Sequence, residues 1–128
     1  MKIQAEIVAV GKDAINIDEP MVILFNEQAT MALKEVALIQ KITSPAAEAT
    51  FALTTASHLQ IDQRDYQVQY VGALANENLT SIGHVALIFD QVPATNRLQG
   101  GVYLKAVDGQ QPAMPMFKVG TRIIYQAN

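Results

Sequence analysis

The stretch Asn78-Leu79-Thr80-Ser81-Ile82-Gly83-His84-Val85-Ala86-Leu87-Ile88-Phe89-Asp90 decides the reading of this chain. Residues 76–82 suit two turns of helix, with Asn76 as N-cap, because its side-chain oxygen can take a free N–H of the first turn. Gly83 has no Cβ and suits the left-handed backbone that ends a helix. Residues 85–89 are an unbroken apolar run, too short for a buried helix and well suited to an interior strand. His84 stands between the helix stop and the strand start. It is one of two histidines in the chain.

Outward from this stretch, strand patterns dominate. Residues 2–10 alternate, with Ile3, Ala5, Ile7 and Ala9 on one face. Gly11, Lys12 and Asp13 form a turn. Pro20 donates no N–H and suits the start of a strand over 21–25. Residues 29–34 fit one helical turn, and 35–42 a strand with Val36, Leu38, Gln40 and Ile42 on one face. Residues 48–54 alternate with Ala49, Phe51 and Leu53 together. After a loop at 54–57, Leu59 and Ile61 continue weakly to a polar four-residue turn, Asp62-Gln63-Arg64-Asp65. Tyr66, Val68 and Tyr70 mark a strand that ends at Gly72. Beyond the central stretch, 91–101 is a long polar connection. Val102, Leu104 and Ala106 share a strand face, 108–116 is loop, and 122–126 is a last short strand.

The total is eight or nine short strands and at most two short helices. No segment between strands is long enough for a large crossover helix, so βαβ units are not expected. The fold class is predominantly all-β, a small barrel or sandwich of short strands with one or two short helices. No internal repeat is visible.

The 128 residues fit a single domain, 1–128. The chain has no cysteine, which excludes disulfides, thiolate zinc sites and thiol nucleophiles. Net charge is −3 with no Lys/Arg cluster, which disfavours nucleic acid as a partner. No apolar run approaches the roughly 18 residues of a spanning helix. Gln4 and Glu6 interrupt what would be the apolar core of a signal peptide. A cytoplasmic protein is the default expectation.

Asn78-Leu79, Ile82-Gly83-His84-Val85, Leu87, Phe89 and Asp90 together resemble the signature of the glucitol/sorbitol-specific IIA component of the bacterial sugar phosphotransferase system. Val10-Gly11 with Ala14, residues 21–27 with Ala29, Leu33 with Glu35, residues 66–72 and Gly101-Val102-Tyr103 fall in that family's order and spacing. The resemblance runs from about Ile3 to Tyr125. It implies a phosphorelay: a histidine takes a phosphoryl group from the histidine-containing phosphocarrier protein and passes it towards a membrane sugar permease. Those two proteins are the implied partners. No cofactor and no metal are expected.

In one respect the chain departs from the family. The family's phospho-acceptor is expected just after the Leu33-x-Glu35 segment, where this chain has Gln40. An amide nitrogen has its lone pair tied up in resonance and is no useful nucleophile. Gln40 is then a tolerated polar group at a barrel mouth, or it keeps a binding surface while blocking transfer. His84 matches the family's Gly-His-Val position. It is the catalytic candidate, as acceptor or as partner in the site; its structural alternative is a ring nitrogen that satisfies backbone groups at a helix-to-strand corner. His58 lies in a polar segment and reads as exposed and ordinary. The two histidines lack metal-ligand spacing. Lys41, Arg97 and Arg122 could offer charge to a phosphate, but each suits a solvated surface. Gly100-Gly101 reads as a turn, because no phosphate-loop pattern surrounds it.

Three functions remain open at this point: a phosphoryl-relaying IIA subunit, a non-transferring regulatory or docking relative, and a β-barrel binding module unconnected with phosphotransfer.

Overall fold

The computed structural model describes residues 1–43 and 51–127. Within them, eight strands close into a barrel: β1 (Lys2–Val10), β2 (Met21–Phe25), β3 (Leu38–Ile42), β4 (His58–Ile61), β5 (Arg64–Val71), β6 (Val85–Ile88), β7 (Gly101–Ala106) and β8 (Arg122–Gln126). Around the barrel the order is β1-β3-β2-β6-β7-β5-β4-β8. The helices α1 (Met31–Val36) and α2 (Ala75–Ile82) are short. The interior is filled by side chains that alternate inward, as a barrel of about eight strands requires. Ile7, Leu24, Leu38, Leu59, Leu87 and Leu104 are among those fully buried.

The strand pattern holds, with informative exceptions. Val8 is a bulge between β1 and β3, since Ile7 faces Gln40 while Ala9 faces Ile39. An extra residue in one strand reverses the phase of the residues after it. Ile3, Ala5 and Ile7 therefore point inward and Ala9 points out. The strand expected over 35–42 begins only at Leu38, because α1 occupies Met31–Val36 and leaves Val36 exposed. The strand expected over 48–54 lies in part outside the described residues. Residues 51–54 are not in a strand, although Phe51 and Leu53 are buried as their alternation implies. Leu59 and Ile61 belong to a full strand, and the turn after them is only Asp62-Gln63, with Asp62 at φ 52°. Asn76 is not the cap of α2. Leu74 takes that place without a side-chain bond. The Asn76 amide instead pairs with the Leu53 backbone, accepting from its N–H at 2.7 Å and donating to its carbonyl at 3.0 Å.

Two strand pairs are parallel, β2 with β3 and β6 with β7. Parallel neighbours need about a dozen residues to cross over. Residues 26–37 and 89–100 do this, the first through α1 and the second with no helix. The second crossover folds over the outside of the sheet, onto Ala86, Ile88 and Tyr103. There the Tyr103 hydroxyl accepts from the Leu98 N–H at 3.0 Å, and the Arg97 guanidinium lies 5.0 Å from the Tyr70 ring centre.

The barrel also has an internal pseudo-two-fold that the sequence does not reveal. β1, β2, β3 and β4 correspond to β5, β6, β7 and β8 in pairing partner and direction. The second half repeats the bulge, at Gln69. Gly11 N–H donates to Ala37 O as Gly72 N–H does to Gly101 O. Ser57 and Thr121 are buried mates, accepting from Thr54 N–H and Lys118 N–H respectively. Backbone pairing needs no particular side chain, so a repeat of register survives where residue identities differ. At Gly11 a Cβ would stand 2.2 Å from Lys34 O, and at Gly72 2.2 Å from Gln99 O. No carbon can approach a carbonyl oxygen so closely, so the backbone would have to move. Gly11→Ala and Gly72→Ala should each lose about 1–3 kcal/mol in urea denaturation, the usual range for overpacking. Values within about 0.5 kcal/mol of the parent would contradict the close approach.

Candidate functional site

Four parts of the chain converge on His84. The end of α2 comes first. Gly83 sits at φ 62°, the left-handed conformation expected there, and its N–H reaches Leu79 O at 3.2 Å. A Cβ at Gly83 would come 2.8 Å from the Asn26 Cβ, so the chain leaving β2 packs directly on this corner. The second part is β2 itself. The His84 ring stacks on Phe25 with centroids 4.1 Å apart and planes 13° from parallel. Its Nδ1 lies 3.1 Å from Leu24 O. The third part is β6, which begins at Val85. The fourth is Gly100, where a Cβ would lie 3.8 Å from the ring Nε2.

The contact with Leu24 settles the tautomer by elementary chemistry. A carbonyl oxygen only accepts, so Nδ1 carries the hydrogen and donates it. In the neutral ring Nε2 then holds the free lone pair. Nε2 has no hydrogen-bond partner among the described residues. Every buried side-chain nitrogen and oxygen among those residues does have a partner. The unpartnered Nε2 is therefore open to solvent, while the rest of the half-buried ring is held in place.

Gln40 lies on the other side of the same corner. Its side chain has no solvent exposure. Nε2 donates to Gly83 O at 2.8 Å, and Oε1 accepts from the Tyr125 hydroxyl at 2.7 Å. Both ends of the amide are thus engaged, and the position expected for the family's acceptor is sealed inside the barrel. The residue that it bonds, Gly83, directly precedes His84.

The remaining candidates do not join this site. His58 is exposed on β4, opposite Gln67 and Gln126. Lys41 points outward across from Glu6. Arg97 packs over Tyr70 and donates to Pro93 O. Arg122 lies 3.8 Å from Glu6 and lines a cleft with Arg64 and Lys118 that includes neither His84 nor Gln40. No group of three or more His, Cys, Asp or Glu among the described residues is placed to hold a metal ion.

Sequence reasoning missed Tyr125, Phe25 and Gly100 as parts of the site. Tyr125 left one legible signal: it alternates inward with Ile123 on β8, and a buried phenol needs a partner. The stack of Phe25 on His84 left none, because the two lie far apart in the chain.

Burial raises the Tyr125 phenol well above its ordinary range. Burial also pushes Tyr66 up to about 12, its hydroxyl donating to Ala113 O at 2.7 Å. An unfolded tyrosine ionises near 10. A raised folded value means that the stabilisation is complete below about pH 10 and is lost as pH rises through about 12. Stability to urea should therefore fall between those values, with phenolate absorbance rising together with loss of circular dichroism. Tyr125→Phe would leave the Gln40 oxygen buried and unpaired, and should cost about 1–3 kcal/mol in the same measurement.

Among known proteins, the family model described as "PTS system glucitol/sorbitol-specific IIA component" matches residues 2–124. A protein of Escherichia coli (strain K12), the PTS system glucitol/sorbitol-specific EIIA component, is 32% identical over 105 residues, covering 77% of this chain and 82% of that protein. The crystal structure of a PTS system IIA component from Enterococcus faecalis V583 superposes with a TM-score of 0.83 at 38% identity, covering 97% of this chain and 99% of that one. With its eight-stranded barrel and its Gly83-His84 corner, the chain belongs to the glucitol/sorbitol-specific IIA component family of the sugar phosphotransferase system.

Proposed function

We propose that this protein is a cytoplasmic docking subunit of a glucitol/sorbitol-class phosphotransferase system, one that does not carry the phosphoryl group at position 40. Its partners are the histidine-containing phosphocarrier protein on one side and the membrane permease on the other. Family membership supports the system and the partners. Among the described residues, no helix is long and apolar enough to cross a membrane, in keeping with a subunit that meets its permease from outside the bilayer.

One observation carries the departure from a relay through position 40: the Gln40 amide is fully buried and bonded at both ends. Phosphoryl transfer requires a lone pair that can attack phosphorus in line. The amide nitrogen has none to offer. The pseudo-two-fold adds a second argument. In the other half of the barrel the equivalent position is Leu104, facing Val68 as Gln40 faces Ile7. Barrel closure therefore has no need of an amide there. Gln40 bonds both the corner before His84 and the Tyr125 hydroxyl on β8.

The test is reconstitution with phosphoenolpyruvate, enzyme I and the phosphocarrier protein. The chain should bind the phosphocarrier saturably in an NMR titration and carry no adduct at residue 40. Failure to bind either partner would remove the docking reading.

A further inference from the structure

The geometry points to Nε2 of His84 as a phosphoryl-accepting nitrogen, a modification site distinct from position 40. This rests on the docking reading, since docking is what brings a phosphohistidine donor to this corner.

The imidazole offers a held ring with a free lone pair, as such an acceptor needs. Its Nδ1–H is committed to Leu24 O at 3.1 Å, which leaves the lone pair on Nε2. The ring is held in this orientation by its stack on Phe25, with centroids 4.1 Å apart, directly after the helix stop at Gly83. Nε2 itself is unpartnered and reached by solvent. On the β7 side lies Gly100, where an added Cβ would stand 3.8 Å from Nε2 and where no side chain covers it. A purely structural histidine needs only the Nδ1 contact. It does not need the other nitrogen left open.

The step balances without a further reactant. The Nε2 lone pair attacks phosphorus, and the bond from phosphorus to the donor imidazole breaks with its electron pair returning to the donor nitrogen. The Nδ1 proton stays in its hydrogen bond to Leu24 O throughout. Gln40 takes no part in the bond changes. It is a positioning residue, holding the Gly83 carbonyl immediately before the ring.

The experiment uses the full chain carrying His58→Ala, so that His84 is the one histidine left. Two donors are compared: the phosphorylated phosphocarrier protein, and phosphoramidate, which needs no docking. With both, mass spectrometry should map phosphate to His84, and NMR should identify the Nε2 isomer. His84→Asn keeps a donor for Leu24 O but has no ring nitrogen. It should stay folded by circular dichroism and lose the adduct at least tenfold. Gly100→Val should slow adduct formation severalfold without unfolding the chain. If the phosphocarrier binds but His84 stays unmodified by it, the acceptor assignment is overturned while the docking reading stands. If the phosphocarrier does not bind, the docking reading fails, and phosphoramidate alone decides the acceptor: modification at Nε2 supports it, and no modification or the Nδ1 isomer overturns it.

Discussion

The Gln40 amide, without solvent exposure and held between the Tyr125 hydroxyl and the Gly83 carbonyl, joins three parts of the barrel at one point. It ties β3 to β8 on one side and to the corner before β6 on the other. Each such hydrogen bond contributes only about 0.5–1.5 kcal/mol net, but breaking one would leave a buried group unpaired at about 1–3 kcal/mol. The asymmetry locks the arrangement: the amide gains little by being there and cannot easily let go. This bond also holds the carbonyl of Gly83, the residue directly before His84.

Symmetry makes the placement of polarity meaningful. Three polar residues are buried among the described ones, Gln40, Ser57 and Thr121. Ser57 and Thr121 are mates under the pseudo-two-fold and do the same work, each accepting from a backbone N–H three residues back. Gln40 has an apolar mate, Leu104. The shared pair recurs in both halves, whereas the unshared amide bonds the corner before His84. The same division separates the two crossovers. One runs through α1 beside β2, whereas the other packs irregularly over Tyr70 and Tyr103 and brings Gly100 to the imidazole.

The chemistry of the corner comes from a division of labour between two ring nitrogens. Leu24 O takes the hydrogen of one and thereby leaves the lone pair of the neutral ring on the other. Phe25 supplies a flat surface that fixes the ring plane. None of the candidate cations, Lys41, Arg97 or Arg122, makes a hydrogen bond or ion pair with His84. Each has its own place on the surface, in keeping with its sequence context.

Much was legible in the residues alone, and the reason is local. Alternation along 2–7, 66–68 and 102–106 reports which side chains face the core, since a strand's period is a property of its own backbone. The stop at Gly83 and the run at Val85–Ile88 are equally local, and both are present in the fold. The expectation of a nucleophile where this chain has Gln40 came from its resemblance to the family alone. Other features depend on partners remote in sequence. The bulges at Val8 and Gln69 exist only against β3 and β7. Asn76 was drawn from capping its helix to pairing with Leu53. The internal two-fold lies in hydrogen-bond register, which residue identities do not record. Which imidazole nitrogen is free was decided by a carbonyl sixty positions away, Leu24 O. No pattern in the string of letters can specify that, because a tautomer is chosen by whatever the folded chain sets beside the ring.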